Sequence, residues 1–284
     1  MIQVARHGRA ERRGRANVST SEQWDPAVYE RFKVERDRPA HDLYALLEPV
    51  AGGRAVDLGC GPGHLTARLA EHLDAAEVVG IDSSTAMLER AAAHATDRVR
   101  FEAGDLATWG DPDDPVDVVT ASASLHWVPD HPGVLARWTS ALGPGGQLAV
   151  QVPANADHPS HLAAVEVANE ARFAEAFAPV GGPPSDPVAD HVLRPERYAE
   201  LLFDLGYERP TVRLQVYGPV LPSVAAVADW MEGTSLTRFK RVLDAETYAE
   251  LVDRYRERLV EVLGERSPYY FSLKRILLAA RRSA

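Results

Sequence analysis

The sequence predicts an α/β fold, doubly wound around a mostly parallel seven-stranded sheet, with a helical cap over one end. Three observations carry that expectation. Short apolar runs alternate with helix-patterned segments through the first half of the chain, and such alternation builds parallel strands joined by crossover helices. The first run leads into Ala55-Val56-Asp57-Leu58-Gly59-Cys60-Gly61-Pro62-Gly63, an acid followed by three glycines at alternate positions. The second and third runs also end in acids, Asp82 and Asp105.

Arg54–Leu58 reads as strand one and His64–Leu73 as the helix that returns from it. Strand two, Glu77–Asp82, precedes a helix over Ser84–Ala95, with Ser83 or Ser84 as its N-cap. Val99–Leu106 is strand three and Val116–Ala121 strand four. A helix over Pro132–Leu142 is stopped by Gly143-Pro144-Gly145-Gly146, and Gln147–Val152 is strand five. Pro195–Leu205 is a helix ended by Gly206, Thr211–Tyr217 alternates as strand six, and Tyr270–Ala280 is the last strand. Two stretches fall outside this sheet. One is the helical segment His161–Phe177 with the Gly/Pro-rich loop Pro179–Pro187. The other is Pro222–Gly264, which reads as two or three helices with Trp230, Leu236, Phe239, Leu251, Tyr255 and Leu259 on apolar faces. With Trp24–Leu47 they are expected to cover the carboxyl end of the sheet, where open α/β sheets bind ligands.

Composition narrows the function. The net charge is −10, yet residues 1–20 hold five arginines and one glutamate, which is +4, so the rest of the chain carries −14. So acidic a body argues against nucleic acid or an anionic membrane as partner. Residues 1–20 lack apolar periodicity and read as a disordered basic arm, not as a secretory signal. No apolar run reaches the length of a membrane span. Cys60 is the single cysteine, so the chain can form no internal disulfide, and no His/Asp/Glu spacing suggests a metal site. These features fit a cytoplasmic enzyme.

Glycines are needed where a backbone turns sharply and lets a ligand approach without a Cβ in the way. The turn into a helix points free N–H groups at the same place. The spacing here is Asp-x-Gly-x-Gly-x-Gly. The dinucleotide pattern Gly-x-Gly-x-x-Gly would need glycine at His64 or Thr66, which disfavours a nicotinamide cofactor. Asp82, at the end of strand two, can accept both hydroxyl protons of a ribose. This set resembles the cofactor loop of class I S-adenosylmethionine-dependent methyltransferases. The resemblance implies S-adenosylmethionine as cofactor, a Rossmann-like seven-stranded sheet, and a final strand antiparallel to the others. It also implies that Asp57 serves the methionine end, that Gly59, Cys60, Gly61 and Gly63 pack beside the sulfonium, and that Asp105 and the N–H of Leu106 hold the adenine. Ser83 and Ser122 complete the cofactor side, with Trp24 and Tyr29 as an aromatic lid over it.

A narrower resemblance, to the trans-aconitate methyltransferases, runs over most of residues 22 to 240. It rests on Trp24-Asp25-Pro26 with Tyr29 and Phe32, on Arg36-x-Arg38-Pro39, on the loop through Thr66, and on Asp82-Ser83-Ser84 and Gly104-Asp105-Leu106 with Trp109. It continues in Ser124-Leu125-His126-Trp127-Val128-Pro129, Leu148-Ala149-Val150-Gln151-Val152-Pro153 and Pro159-Ser160-His161. The chain departs from that pattern at Ser122, at Ala154-Asn155 and at Phe271-Ser272-Leu273-Lys274-Arg275. The resemblance implies methyl transfer to one carboxylate of a small unsaturated tricarboxylic acid. The organisation that follows is a basic arm (1–20), lid helices (21–50), a cofactor-binding core (51–153) and a helical insertion (154–193). A return to the core (194–218), a helical cap (219–268) and the final core strand (269–284) complete it.

A carboxylate is already a nucleophile at neutral pH, so such an enzyme needs positioning and charge complementarity more than a base. A polycarboxylate calls for fixed cations, preferably arginines. Arg36, Arg38, Lys274 and Arg275 are the candidates, with Arg36 and Arg275 favoured by the resemblance. His126 follows strand four and faces the transferred methyl group, as a donor to the acceptor or, for a hydroxyl acceptor, as a base. Trp127 reads as a pocket wall. Methylation of a hydroxyl or carbon, or S-adenosylmethionine binding without catalysis, remain open alternatives. The sequence does not set the oligomeric state.

Overall fold

The structure is a computed structural model that describes residues 26–283, with side chains described from Glu35 onward. The basic arm and Trp24 therefore lie outside the described residues, as does the side chain of Tyr29. Helix α1 (Pro26–Tyr44) leads to β1 (Arg54–Leu58), α2 (His64–Leu73), β2 (Glu77–Asp82), α3 (Thr85–Ala91), β3 (Val99–Ala103) and β4 (Val116–Ser122). Then come α4 (His131–Ser140), β5 (Leu142–Pro153), α5 (Pro159–Ala168), α6 (Ala171–Phe177), α7 (Pro187–His191), α8 (Pro195–Asp204) and β6 (Tyr207–Tyr217). The chain ends with β7 (Val220–Leu221), α9 (Val227–Glu232), α10 (Thr237–Lys240), α11 (Ala245–Leu263), β8 (Tyr269–Tyr270) and β9 (Leu273–Arg282).

The seven-stranded sheet has the order β3-β2-β1-β4-β5-β9-β6. Strands β1 to β5 pair in parallel, while β9 is antiparallel to both β5 and β6. Alternation along the buried strands divides the core. Val118, Val78 and Ala149 face α1 and α2 through Leu43, Tyr44, Leu69 and Leu73. Val119, Val79, Leu148 and Val150 face α4 and α8 through Leu135, Trp138, Tyr198 and Leu202. A third cluster belongs to the cap, where α5, α6, α9, α10 and α11 enclose Phe177, Trp230, Phe239, Tyr255 and Phe271. The cap thus has a core of its own, which the sheet joins through Leu273 at the start of β9.

Several predicted elements are redrawn. Lid helices are predicted over 21–50, but one helix, α1, runs along a face of the sheet and packs on it through Ala40, Leu43 and Tyr44. Gln147 fixes the chain after α1, accepting from the Glu48 N–H at 2.8 Å and donating to the Glu48 carbonyl at 2.9 Å. Of α1, the stretch around Arg36 and Asp37 reaches the carboxyl end, where Asp37 meets His64 at 3.1 Å. The Gly143–Gly146 run, read as a stop before strand five, lies inside β5. Val116 pairs Leu142 and Val118 pairs Gln147, so the glycines form a bulge that the strand carries. Strand six starts at Tyr207, four residues before its predicted start, because a register shift between Glu208 and Thr211 absorbs Pro210. Strand three stops at Ala103, short of Leu106. Tyr270 does not begin the last strand: it pairs Val220 in a separate two-stranded ribbon, and β9 starts at Leu273. Ser84, not Ser83, caps α3, its side chain accepting from the Met87 N–H.

Candidate active site

The loop between β1 and α2 is shaped by its glycines. Gly59 has φ 73°, and a Cβ there would lie 2.2 Å from Cβ of Ser124, whose hydroxyl donates to the Leu58 carbonyl at 2.6 Å. Gly63 has φ 82° and faces the Phe101 ring, 2.7 Å from where its Cβ would be. Gly61 differs from both: at φ 55° a Cβ would meet nothing within 4 Å, so the loop's outer side is open. Asp57 lies beneath the loop. It is buried, and its carboxylate accepts from Thr66 Oγ1 at 2.6 Å and Thr120 Oγ1 at 3.1 Å, tying β1 to α2 and β4. Burial raises its pKa, and the two hydroxyls oppose that shift.

Asp82 stands beside the open side. One carboxylate oxygen accepts from the Gly61 N–H at 2.9 Å and the other from the Ser84 N–H at 2.8 Å. Each oxygen keeps a second lone pair for a ligand hydroxyl. Asp105 is exposed in the turn after β3, where its side chain accepts from the Ala107 N–H at 2.9 Å. The Leu106 carbonyl is held by the Trp138 indole N–H at 2.9 Å. Ser122, the last residue of β4, accepts from the Gln151 amide at 3.1 Å. Burial first, then Asp57 and Asp82, push the Cys60 thiol far up, so it stays protonated and is no nucleophile. Open space over Gly61 and a carboxylate with spare acceptor sites fit the ribose end of S-adenosylmethionine.

A cavity of about 400 Å³ opens between the carboxyl end of the sheet and the cap. Ala123 and His126 line it from the segment after β4, Pro153 and Asn155 from the end of β5, and Leu273 and Arg275 from β9. The cap contributes Trp230, Gly233 to Ser235, Thr237, Arg238 and Arg241, and Asp186 to Val188 come from the start of α7. Met87 of α3 lines it too, so the cavity reaches toward the Asp82 side. Strand alternation explains the choice of cation. Leu273 and Arg275 share one face, while Lys274 between them points away and pairs Asp157 at 2.5 Å.

The Arg275 guanidinium makes no hydrogen bond or ion pair among the described residues. Desolvation lowers its pKa to about 10, so it remains charged. His126 lies in the 3-10 turn Leu125–Trp127, buried, with Nδ1 lacking a hydrogen-bond partner. Burial, then the charge of Arg275 and the neighbouring His131 and His191, lower its pKa to about 3. It is a neutral imidazole. Trp127 is 48% exposed and walls the cavity.

Of the predicted acceptor-site residues, the structure brings together Arg275, His126 and Trp127. Arg36 stacks over the Trp230 ring at 4.6 Å, so it stands next to the cavity lining and outside it. Arg38 sits over the Tyr217 ring at 5.7 Å, and Lys274 is occupied by Asp157. Sequence reasoning missed Arg238, Arg241, His161 and Asp186, all on the cavity wall. Arg238 is 7% exposed in a four-residue helix, α10, where an arginine reads as a solvated surface charge. Asp186 closes a loop whose glycines and prolines hide its role as cap of α7.

Burial holds His126, His131 and His161 neutral well below their ordinary value of 6.5, at about 3, 4 and 4. The unfolded chain takes up these protons first as pH falls, so stability is level above pH 6.5 and declines below it. Each histidine contributes at most about 1.4 kcal/mol per pH unit. Thermal melts are expected to superimpose from pH 8 to 6.5 and to fall by several degrees by pH 5. A melting temperature unchanged at pH 5 would contradict this reading.

A sheet in this order, with a glycine loop after β1 and acids after β2 and β3, defines a class I methyltransferase. A profile of the methyltransferase domain matches residues 55–146. The fold is also that of the YcgJ protein from Bacillus subtilis (TM-score 0.55, 18% identity, covering 87% of this chain and 99% of that one). It is shared by phosphoethanolamine N-methyltransferase 2 from Haemonchus contortus (TM-score 0.55, 16% identity, 93% of this chain and 58% of that one), whose structure contains S-adenosylhomocysteine. The trans-aconitate 2-methyltransferase of Deinococcus radiodurans is 41% identical over 91% of this chain and 98% of its own length. That of Variovorax paradoxus is 36% identical over 92% and 99%. The chain belongs to the trans-aconitate 2-methyltransferase family and is an S-adenosylmethionine-dependent methyltransferase. No described helix is long and apolar enough to cross a membrane, and no described cluster of His, Cys, Asp and Glu could hold a metal ion.

Proposed function

We propose that this enzyme methylates one carboxylate of trans-aconitate or a closely similar small tricarboxylic acid. The observation that carries the reading is Arg275, a charged guanidinium without a protein anion, facing the cavity at the carboxyl end of the sheet. A half-buried, desolvated cation of that kind favours an anionic ligand that completes it. S-adenosylmethionine supplies an electrophilic methyl group on a sulfonium. The chain's own residues then have to hold the acceptor in line and exclude water. No proton need leave a carboxylate nucleophile, which accords with His126 being neutral and isolated from any carboxylate partner. Its ring can orient the acceptor by a hydrogen bond without acting as a base.

On the cofactor side, Asp82 takes the ribose hydroxyls, Asp105 and the Leu106 N–H take the adenine, and Gly59 to Gly63 receive the methionine end. Asp57 contributes by pinning the loop through Thr66 and Thr120. The acidic body argues against nucleic acid as the acceptor, and the same composition fits an enzyme of the cytoplasm.

The test is a side-by-side assay of trans-aconitate, cis-aconitate and phenolic acids with S-adenosylmethionine, with products read by mass spectrometry. A monomethyl ester formed faster from trans-aconitate than from any phenol is the expected result. Methyl transfer only to phenolic oxygen would overturn the proposal.

A further inference from the structure

Arg238 lines the acceptor cavity from the cap side, opposite the strand that carries Arg275. It lies among the apolar side chains of the cap, with its guanidinium 4.5 Å over the Phe239 ring. Its Nη1 bonds the Ser235 carbonyl at 3.2 Å and the Ser235 hydroxyl, and meets Asp186 Oδ2 at 3.2 Å. Nε and Nη2 are buried and have no hydrogen-bond partner. Burying an arginine with three of its five donors unmatched is costly unless a ligand supplies the acceptors. Ser235 and Asp186 hold one end of the fork, and the other end is left for a ligand oxygen.

The charges around the cavity agree with this. Arg238, Arg241 and Arg275 stand against the single carboxylate of Asp186, so its wall carries two net positive charges. His126 and His161, also on the wall, are neutral. A tricarboxylate that gives one carboxylate to methylation keeps two negative charges, which the wall balances. Asp186 is what keeps that number at two.

We infer that Arg238, held by Asp186 and Ser235, recognises one unreacted carboxylate of the acceptor and selects tricarboxylates over dicarboxylates. This rests on the carboxylate-acceptor reading above. The Arg238 fork offers a planar pair of donors that a lysine cannot reproduce.

A binding cycle tests it, read by calorimetry with S-adenosylhomocysteine present so that no turnover occurs. The ligands are trans-aconitate and the three dicarboxylates that each lack one of its carboxylates: mesaconate, glutaconate and itaconate. In the native enzyme each should bind more weakly than trans-aconitate. In Arg238→Gln, trans-aconitate affinity should fall on the order of 10²-fold or more. Affinity for one of the dicarboxylates, the one missing the carboxylate that Arg238 holds, should stay unchanged. Equal losses for all four acids would assign Arg238 a general structural role, and unchanged affinities would remove it from recognition; either overturns the inference. Arg238→Lys carries the same cycle should the glutamine variant fail to fold, and is expected to lose the same selectivity in part. If the native enzyme binds none of these acids, it is the acceptor assignment that fails. If it binds trans-aconitate and the cycle is flat, only the role of Arg238 fails.

Discussion

Replacing Arg275 with methionine is expected to raise the KM for the carboxylate acceptor by roughly 30- to 3,000-fold. Truncating one partner of a buried charge pair costs about 2–5 kcal/mol, and each 1.4 kcal/mol is a factor of ten. Methionine keeps an unbranched apolar stem on the face shared with Leu273 and removes the guanidinium with its charge and donors. Affinity for S-adenosylhomocysteine should be unchanged, because Arg275 belongs to the acceptor cavity and the cofactor loop lies across the sheet at β1. The stability of the unliganded protein should rise slightly or hold, since burial already lowers the pKa of this group and no protein anion offsets it. Steady-state kinetics with trans-aconitate, paired with thermal melts, measure both. A hydroxyl-acceptor enzyme would respond in the opposite sense. Arg275→Met would be nearly silent there, while His126→Ala would nearly abolish turnover by removing an unpartnered ring nitrogen on the cavity wall. For a carboxylate acceptor, His126→Ala should lower kcat without abolishing it.

What was legible in the sequence follows from where the information is local. The strand and helix pattern from Arg54 to Asp82, the glycine loop and the positions of Asp57 and Asp82 depend on residues close in the chain, and the structure places them as read. The terminal strand starts at Leu273 and not at the predicted Tyr270, because two apolar stretches adjoin there and pattern alone cannot show that one leaves the sheet to pair Val220. The bulge in β5 is likewise a pairing event, since its three extra residues are defined only relative to β4. The acceptor site was the least legible part. Arg275 could be singled out by family resemblance, and alternation along β9 then separates it from Lys274. Arg238 could not. Its significance lies in Asp186, 52 positions earlier, and in burial that the residue type argues against. The same holds for Arg36, whose guanidinium packs on Trp230 across nearly 200 residues of chain.

Asp82→Ala is expected to weaken binding of S-adenosylhomocysteine by about 3–6 kcal/mol, or roughly 10²-fold and upward. Two charge-assisted hydrogen bonds to ribose hydroxyls vanish, each worth about 1.5–3 kcal/mol. A second effect comes from the protein itself. The same carboxylate receives the Gly61 and Ser84 N–H groups, so the alanine variant frees the loop at its open residue and loosens the start of α3. Asparagine does not repair this, because it has one acceptor oxygen where two backbone donors converge. Asp82→Asn should therefore resemble Asp82→Ala in affinity, a result that would not follow if one acceptor oxygen were enough. Asp105→Ala makes the comparison: its carboxylate is exposed and bonds one local N–H, so its loss should cost no more than about 1–1.5 kcal/mol. At saturating S-adenosylmethionine the acceptor KM should be unaffected in both variants, since neither carboxylate lines the acceptor cavity. Calorimetric affinities that leave Asp82→Ala within threefold of the native enzyme would remove Asp82 from the cofactor site.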